Sequence, residues 1–491
     1  MFFLIFEANA QNWLKFYATN QYHYGAFALE TNDRGYLIGA KRDNDFPYSI
    51  IYKTDVNGNI LWQKTIGNGN ANIEDCCKTL DGGFAIIGGI YDKDKSSFFL
   101  LKLNSCGEVD WYKKYNWHYP CQVFNILQMK DEGYIIDLSY NIIPSYTKGA
   151  VIKLDKKGNS IWENFNLNIP ISMLITEDNN IIISANQFYS HQPNGSWSEN
   201  ILTLLDSNGK RIWENIQSDN YNYHSGIKTI LTSKNNYYTL KMEDSLPFNI
   251  LKLLKYDRTG ALTQTMTIED TTVFNFPKDM IPMNDSTFII LTMEDSGKYS
   301  GTLRLLKINA LGQIINKTTL FQKYALLPSK ISATHDGKYL IIGYLQPNPI
   351  PPFVGVFIAK VNSDIDQDSF YTKKLRYDSL CTNTIPDSGN ISISNAEVIN
   401  LDTIGIKFTD FKLFPNPAQD FFEISASGLS AEPFYLMVYD VLGRQVSDYQ
   451  YMPDINGNLS QKINLNNVAS GCYLVSLRQG SNYFVKKLIV E

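Results

Sequence analysis

At 491 residues the chain is too long for one hydrophobic core, since single cores stop growing at about 250–300 residues, so two units or a repeat array are expected. A formal charge of −5 with no polybasic run leaves no electrostatic footprint for nucleic acid or an anionic membrane surface. No run of about 18 apolar residues could cross a membrane as a helix, and 31 Tyr with 27 Phe fit a strand-rich chain.

The chain opens MFFLIFEANAQNW, an apolar run ending at Ala8-Asn9-Ala10, the small-x-small pattern of a secretory cleavage site. Residues 1–10 are expected to be the remainder of a signal peptide, with the basic n-region missing. Directly after it, QNWLKFY at 11–17 resembles ILWQKTI at 60–66, a strand whose setting recurs further along.

Six turns then follow in step: Asp55-x-x-Gly58, Asn104-x-x-Gly107, Asp155-x-x-Gly158, Asp206-x-x-Gly209, Asp257-x-x-Gly260 and Asn309-x-x-Gly312. Their glycines lie 49, 51, 51, 51 and 52 residues apart, and a degenerate seventh copy, VNSDIDQ, occupies 361–367. Four residues after each of the first four glycines stands a tryptophan (Trp62, Trp111, Trp162, Trp213), whereas Gln264 and Asn316 take that place in the next two copies. A second phrase, clearest as DGGFAIIGG at 81–89, recurs seven times between residues 33 and 344 as a turn entering an apolar strand.

Asp or Asn at the first turn position bonds forward to the backbone, and Gly accepts the positive φ that closes the hairpin. The indole then lies on the pleat beyond the turn, where it can cover a neighbouring sheet. Each unit reads as four strands, too few to bury both faces alone, whereas stacked copies can. An all-β fold is predicted: a seven-bladed β-propeller over 11–370, with Trp13 to Tyr17 supplying the last strand of the seventh blade. The phrasing resembles repeats of propellers in secreted bacterial proteins, and kelch- or quinoprotein-like blades only in layout.

From 371 to 408 the period stops, and CTNTIPDSGNISISNAEVINLD is rich in Ser, Asn, Thr and Asp, which predicts an extended linker. Residues 409–491 return to alternating strands (FKLFPNPAQDFFEI, FYLMVYDVLGRQV, GCYLVSLRQG, YFVKKLIVE), predicting a small Ig-like β-sandwich. Pro-Asn-Pro at 415–417 fixes an extended entry, and Gly443 and Gly471 suit turns. These motifs, in this order at the C-terminus, closely resemble the type A C-terminal sorting domain of the type IX secretion system of Bacteroidetes-type bacteria. The resemblance makes Pro415, Asn416, Pro417, Gly443, Gly471, Tyr473, Lys486 and Lys487 sorting-signal candidates. It implies Sec export, the type IX machinery as partner, and a secreted or cell-surface location. It also implies, in the usual case, removal of the domain with attachment to surface glycolipid. Taken without the resemblance, a lysine pair on a final strand is a solubilising feature.

A search for chemistry yields little. Six cysteines (76, 77, 106, 121, 381, 472) form no CxxC and read by default as buried thiols; the alternative that export would permit is one bridge from Cys76 or Cys77 to Cys106 or Cys121. Histidines 23, 118, 191, 224 and 335 show no ligand spacing, so no metal and no cofactor are expected. DVNGN at 55–59 and DINGN at 454–458 resemble a piece of a calcium loop but lack its further acids, and read as turns. The Asp-x-x-Gly-x-x-x-Trp phrase is similar to the Asp-box of sialidases, which is one residue tighter and structural. MEDS at 242–245 and 293–296 reads as a solvated loop rather than a glycosidase carboxylate pair. YNWHYP at 115–120 and NQFYSHQPNGSW at 186–197 are candidates for stacking on sugar rings, or equally for blade packing. No catalytic residue is named. The reading is a non-enzymatic glycan- or protein-binding module. The alternative is a secreted polysaccharide hydrolase or lyase with carboxylates gathered from several blades.

Overall fold

The computed structural model describes residues 12–491 apart from 18–22, 43–48, 68, 92–95, 118, 144–145, 192–194, 219–223, 233–235, 244–249, 269–273, 296–300, 322–324, 346–354, 379–380, 382–384, 387, 394–395, 402–410, 427–432, 442–443, 455–457, 466–467 and 480–481. The expected signal segment, residues 1–10, lies outside the described residues. Every described element is a strand. The chain divides into two compact units, residues 1–141 with 147–400, and residues 401–491 with 142–146.

The larger unit holds seven sheets. Their first strands are His23–Glu30, Ala71–Lys78, Cys121–Gln128, Ile169–Ile175, His224–Leu231, Phe274–Asn284 and Leu326–Ala333. We number the sheets 1 to 7 in that order. In sheets 1 to 6 the next three strands of the chain follow in order. Sheet 7 takes its fourth strand from the other end of the chain: Leu14–Tyr17 pairs antiparallel with Val356–Val361, Leu14 opposite Ala359. First strands of successive sheets touch, and that of sheet 7 touches that of sheet 1.

Alternation explains why the second and third strands read as continuous apolar runs. Tyr36, Ile38 and Ala40 pack towards sheet 7 with Leu340 and Ile342. Leu37, one pleat over, packs towards sheet 2 with Ile86 and Phe99. Both faces of each sheet are buried, and every fully buried Ile, Leu or Phe contributes about 1.5–3 kcal/mol.

The repeated turns fasten sheet to sheet. Oδ1 of Asp55 accepts from the N–H of Asn57 and Asn59, each at 2.8 Å, and Asp155, Asp206, Asp257, Asn104, Asn309 and Asn362 repeat the pattern. The fourth residue takes a left-handed φ: 72° at Gly107, and 65° at Ile365 in the degenerate seventh copy. Beneath five of these turns lies an indole from the preceding sheet, Trp13 at Gly58, Trp62 at Gly107, Trp111 at Gly158, Trp162 at Gly209 and Trp213 at Gly260. A Cβ on Gly107 would stand 2.3 Å from the Trp62 ring, so the close approach needs glycine there. Polar latches add to the contact. Trp13 Nε1 donates to Val56 O at 3.1 Å, Trp162 Nε1 to Ser207 O at 3.0 Å, and Tyr115 Oη to Gly158 O at 2.7 Å.

Two expectations are corrected here. The segment expected as an extended linker at 371–408 is tied to the larger unit along much of its described length. Asn57 exchanges hydrogen bonds with Tyr371, and the Val56 N–H donates to the Tyr377 hydroxyl. Ser388–Ile391 adds a parallel fifth strand to sheet 1, and Glu397–Asn400 does the same for sheet 2. Its composition hid this, because two four-residue edge strands need few apolar side chains; Ile391 in the first and Ile393 just after it join the apolar cluster of sheets 1 and 2. The disulfide is Cys106–Cys381, not a bridge from Cys76 or Cys77. Cys76 and Cys77 sit on the first strand of sheet 2 and Cys106 on the hairpin joining its third and fourth strands, two to three strand spacings or about 10–14 Å away, beyond disulfide reach.

The smaller unit has two sheets. One comprises Phe411–Phe414, Phe421–Ala426 and Leu459–Asn464, the other Gln445–Tyr451, Phe434–Asp440, Gly471–Gln479 and Asn482–Val490. Phe422, Ile424, Leu436, Val438, Val475, Leu477 and Leu488 form their shared core.

Candidate functional site

The first strands of the seven sheets bring together side chains distant in sequence. Each carries a register shift near its start, at 25/27, 73/75, 123/125, 170/172, 226/228, 277/279 and 328/330. A bulge adds one residue to its strand and re-aims side chains. The residues just after the shift include Asp75, Asn125, Ser172, Lys228, Asp279 and Lys330.

These groups are engaged with one another. Lys330 of sheet 7 reaches past sheet 1 to Asp75 of sheet 2 at 2.6 Å, and Lys228 lies 3.5 Å from Asp279. Asp75 also accepts from the Ile126 N–H and Asp279 from the Ile331 N–H, both at 3.1 Å, while Ser172 Oγ accepts from the Thr229 N–H at 3.0 Å. Apart from the Lys330–Asp75 pair, each of these bonds links one sheet to the next. Asn125 donates its amide to the fully buried Asp137.

Burial pushes the Asp137 carboxyl up to about 7; hydrogen bonds from Asn125 oppose the rise, and the Asp75 charge adds to it. Burial works against the Lys330 ammonium, yet Asp75, Asp279 and Glu74 outweigh it and hold its pKa above the ordinary lysine value. Chemically this is a compensated ion network in which each described charge has a partner of opposite sign or a backbone donor. Sequence reading missed it, because the contributors come from six different sheets and no two share a motif.

The structure places the other candidates as follows. Trp117 of YNWHYP is 5% exposed between Tyr140 and Phe165, so its ring packs sheets rather than offering a platform. In NQFYSHQPNGSW, the side chains of 188–197 lie outside the described residues. The MEDS loops, expected to be solvated, are partly built in. Glu243 pairs with Lys252 at 2.6 Å, and Glu294 lies 3.9 Å from the buried Arg304. Among the described residues, no group of three or more His, Cys, Asp and Glu stands close enough to hold a metal ion.

In the smaller unit the sorting candidates meet around the last strand. The Asn416 side chain donates to Lys487 O at 2.7 Å and accepts from the Ile489 N–H at 2.9 Å, completing the free edge of Asn482–Val490. Ala418 continues the pairing with Ile489 and Glu491, so the Pro415 to Pro417 segment and the terminal lysines form one structural piece. Lys486 lies 5.6 Å from the Phe411 ring centroid, and Lys487 is exposed. Tyr473 is buried and donates its hydroxyl to Ala469 O at 2.6 Å. Gly471 was expected to serve a turn. Instead it opens the strand Gly471–Gln479 without a left-handed φ, and a Cβ there would meet only ordinary contacts. Gly443 lies outside the described residues.

Comparison with known proteins adds four findings. An endo-acting ulvan lyase of Formosa agariphila is 33% identical over 96 residues, 19% of this chain and 17% of the lyase, so the match spans about one sixth of that relative. A solved ulvan lyase of a new polysaccharide lyase family, bound to -[GlcA(1-4)Rha3S]-, aligns with TM-score 0.49 and 8% identity, covering 71% of this chain and 96% of that one. A protein of unknown function from Dyadobacter fermentans aligns with TM-score 0.42 and 11% identity, covering 60% and 96%. Residues 412–491 match the family described as "Secretion system C-terminal sorting domain", which makes this chain a cargo of the type IX machinery, delivered to the cell surface or the extracellular space.

Proposed function

We propose that the seven sheets are the blades of a closed seven-bladed β-propeller over residues 11–370, fastened by the 371–400 segment and followed by an Ig-like sorting sandwich over 409–491. In this reading the propeller is a secreted or surface-displayed module that binds a glycan or another surface protein without turning it over. The observation that carries it is the pairing along the first strands. Asp75, Asp279, Lys228 and Lys330 compensate one another, and an acid or base held in an ion pair is poorly placed to exchange a proton with substrate. The eight sorting-signal candidates would act through the folded edge that Asn416 completes, while the repeat residues Gly58, Trp62, Gly107, Trp111, Gly158, Trp162, Gly209 and Trp213 hold the blades together.

A second reading, a secreted polysaccharide lyase, is favoured by the 96 residues shared with the Formosa enzyme. The two are separated by incubating the purified full chain with ulvan and other algal polysaccharides. Binding by pull-down with no rise in unsaturated-uronate absorbance supports the module; sustained product formation overturns it. Deleting 409–491 should leave the protein in the periplasm, as judged by cell fractionation.

A further inference from the structure

Between Phe370, whose ring lies 5.9 Å from that of Trp13, and Asn400, the chain passes from sheet 7 to sheets 1 and 2, and its two halves are held differently. The first half is anchored by four hydrogen bonds. Tyr371 donates its N–H to Asn57 Oδ1 at 2.6 Å and accepts the Asn57 amide on its carbonyl at 2.9 Å. The Tyr377 hydroxyl accepts from the Val56 N–H at 2.8 Å, and the Asp378 N–H donates to Asp33 Oδ2 at 3.2 Å. Two buried lysines face the same rings, Lys360 at 5.7 Å from the Tyr371 centroid and Lys53 at 5.9 Å from that of Tyr377.

The second half has less to hold it. Ser388–Ile391 runs along Gln63–Ile66 and Glu397–Asn400 along Lys113–Asn116, four residues each. Ile391 and Ile393 are buried and Ile385 packs beside them, whereas Ser388, Gly389, Asn390, Glu397 and Val398 are exposed. Short edge strands with few buried apolar contacts open locally, because each ordered residue carries an entropy cost that little burial offsets. Where the halves meet, Cys381 is bonded to Cys106 on the sheet 2 hairpin. Without that bond the second half would hang from Asp378 on a turn of sheet 1. With it, the second half starts at sheet 2, beside the edges it pairs with.

We propose that residues 371–400 form a redox-locked strap. With Cys106–Cys381 intact, its second half covers the outer edges of sheets 1 and 2; on reduction that half detaches, while Leu14–Tyr17 stays paired with Val356–Val361 in sheet 7. A dithiol supplies the two electrons. Its thiolate attacks the sulfur of Cys381, the more exposed of the two residues, and Cys106 leaves as a thiolate and takes a proton. The second thiol of the reagent then displaces Cys381, which is protonated in turn, leaving two protein thiols and a cyclic disulfide. The outer strands Ile60–Ile66 and Val109–Asn116 are then left with the unpaired backbone edges that pair with other chains. A reducing cytoplasm keeps the bond open and an oxidising compartment closes it, so the lock is set after export.

The test is hydrogen exchange read by mass spectrometry on the full chain, comparing oxidised wild type, wild type reduced with dithiothreitol, and Cys381→Ser. Reduction should let iodoacetamide label Cys106 and Cys381 in addition to the four free cysteines when the chain is then denatured. Exchange should rise about tenfold or more at Ser388–Ile391, Glu397–Asn400 and the two outer strands, and stay unchanged at Leu14–Tyr17 and Val356–Val361. Cys381→Ser should show that pattern without reductant and no further change with it. Exchange that stays at the oxidised level in reduced wild type would overturn the lock, since the strap would then hold by its own contacts; this arm decides even where Cys381→Ser fails to fold. A rise spread equally over sheet 7 and the first strands would overturn it too, the bond then stabilising the whole unit rather than one segment. Labelling that gains no cysteine on reduction would show that the bond is absent, and the proposal would fall with it.

Discussion

In sheets 1 to 5 the Asp/Asn-x-x-Gly turn rests on a tryptophan of the sheet before it; in sheets 6 and 7 it does not. Gly312 lies over Met266, and in the seventh copy the Asn316 side chain donates to Asp364 O and Lys307 Nζ to Ser363 O, both at 3.0 Å, while Ile365 is buried in the cluster that holds Leu303 and Leu305. The backbone bonds to the first turn residue are nevertheless the same throughout, down to Asn362 with the N–H groups of Asp364 and Asp366. The turn is thus set locally by one side-chain acceptor and one left-handed residue. The apolar contact beneath it is a separate contribution that can be traded for other packing.

That separation can be broken first at its apolar half. Trp62 is 2% exposed, and Trp62→Ala should cost about 3–5 kcal/mol, as for other buried aromatic truncations. Asn316→Ala, at the equivalent position before sheet 7, removes an exposed hydrogen bond and should cost about 1 kcal/mol or less. Urea unfolding of both variants measures the gap, and equal losses would mean the two contacts do the same work.

The backbone half comes next. Gly107 and Gly337 have nearly the same φ, 72° and 74°, but a Cβ on Gly337 meets nothing within 4 Å, whereas one on Gly107 runs into the Trp62 ring. Gly337→Ala should therefore show only the left-handed strain, about 1–2 kcal/mol. Gly107→Ala should add overpacking of about 1–3 kcal/mol. Combining Gly107→Ala with Trp62→Ala should return less than the sum, since the second change removes the obstacle created by the first.

How much was legible follows the same division. The turn carries its signature in four consecutive residues, so its copies and the pairing of Leu14–Tyr17 with Val356–Val361 could be read from period and phrase. The sorting segment was legible because its motifs are short and ordered. What could not be read depends on partners far apart in sequence. Lys330 and Asp75 are separated by 255 positions, and Cys106 and Cys381 by 275, with no spacing rule connecting either pair.

The last expected effect is on pH dependence, and it divides the larger unit in another way. In sheets 1, 2, 3 and 7 a buried lysine on the third strand pairs with the aspartate of the turn before the second strand: Lys53 with Asp33, Lys102 with Asp81, Lys153 with Asp131 and Lys360 with Asp336. Burial alone would raise these carboxyls, but the lysines and neighbouring donors outweigh it and hold all four below the ordinary aspartate value. Their contribution is present above the unfolded-state value and lost as pH falls through the folded one, so it steepens acid unfolding. Asp137 works in the opposite sense. With its folded pKa near 7 against 3.8 in the unfolded chain, it costs stability increasingly as pH rises between those values. Asp137→Asn keeps an oxygen for the Asn125 N–H and removes that cost. It should be more favourable relative to wild type at pH 8 than at pH 5, whereas Lys360→Met should lower stability at pH 8 and flatten the acid limb. Unfolding curves from pH 3 to 8 decide the matter; an Asp137→Asn difference that stays constant with pH would show that this carboxyl is ionised throughout, and that the network at the first strands holds one more negative charge than its lysines balance.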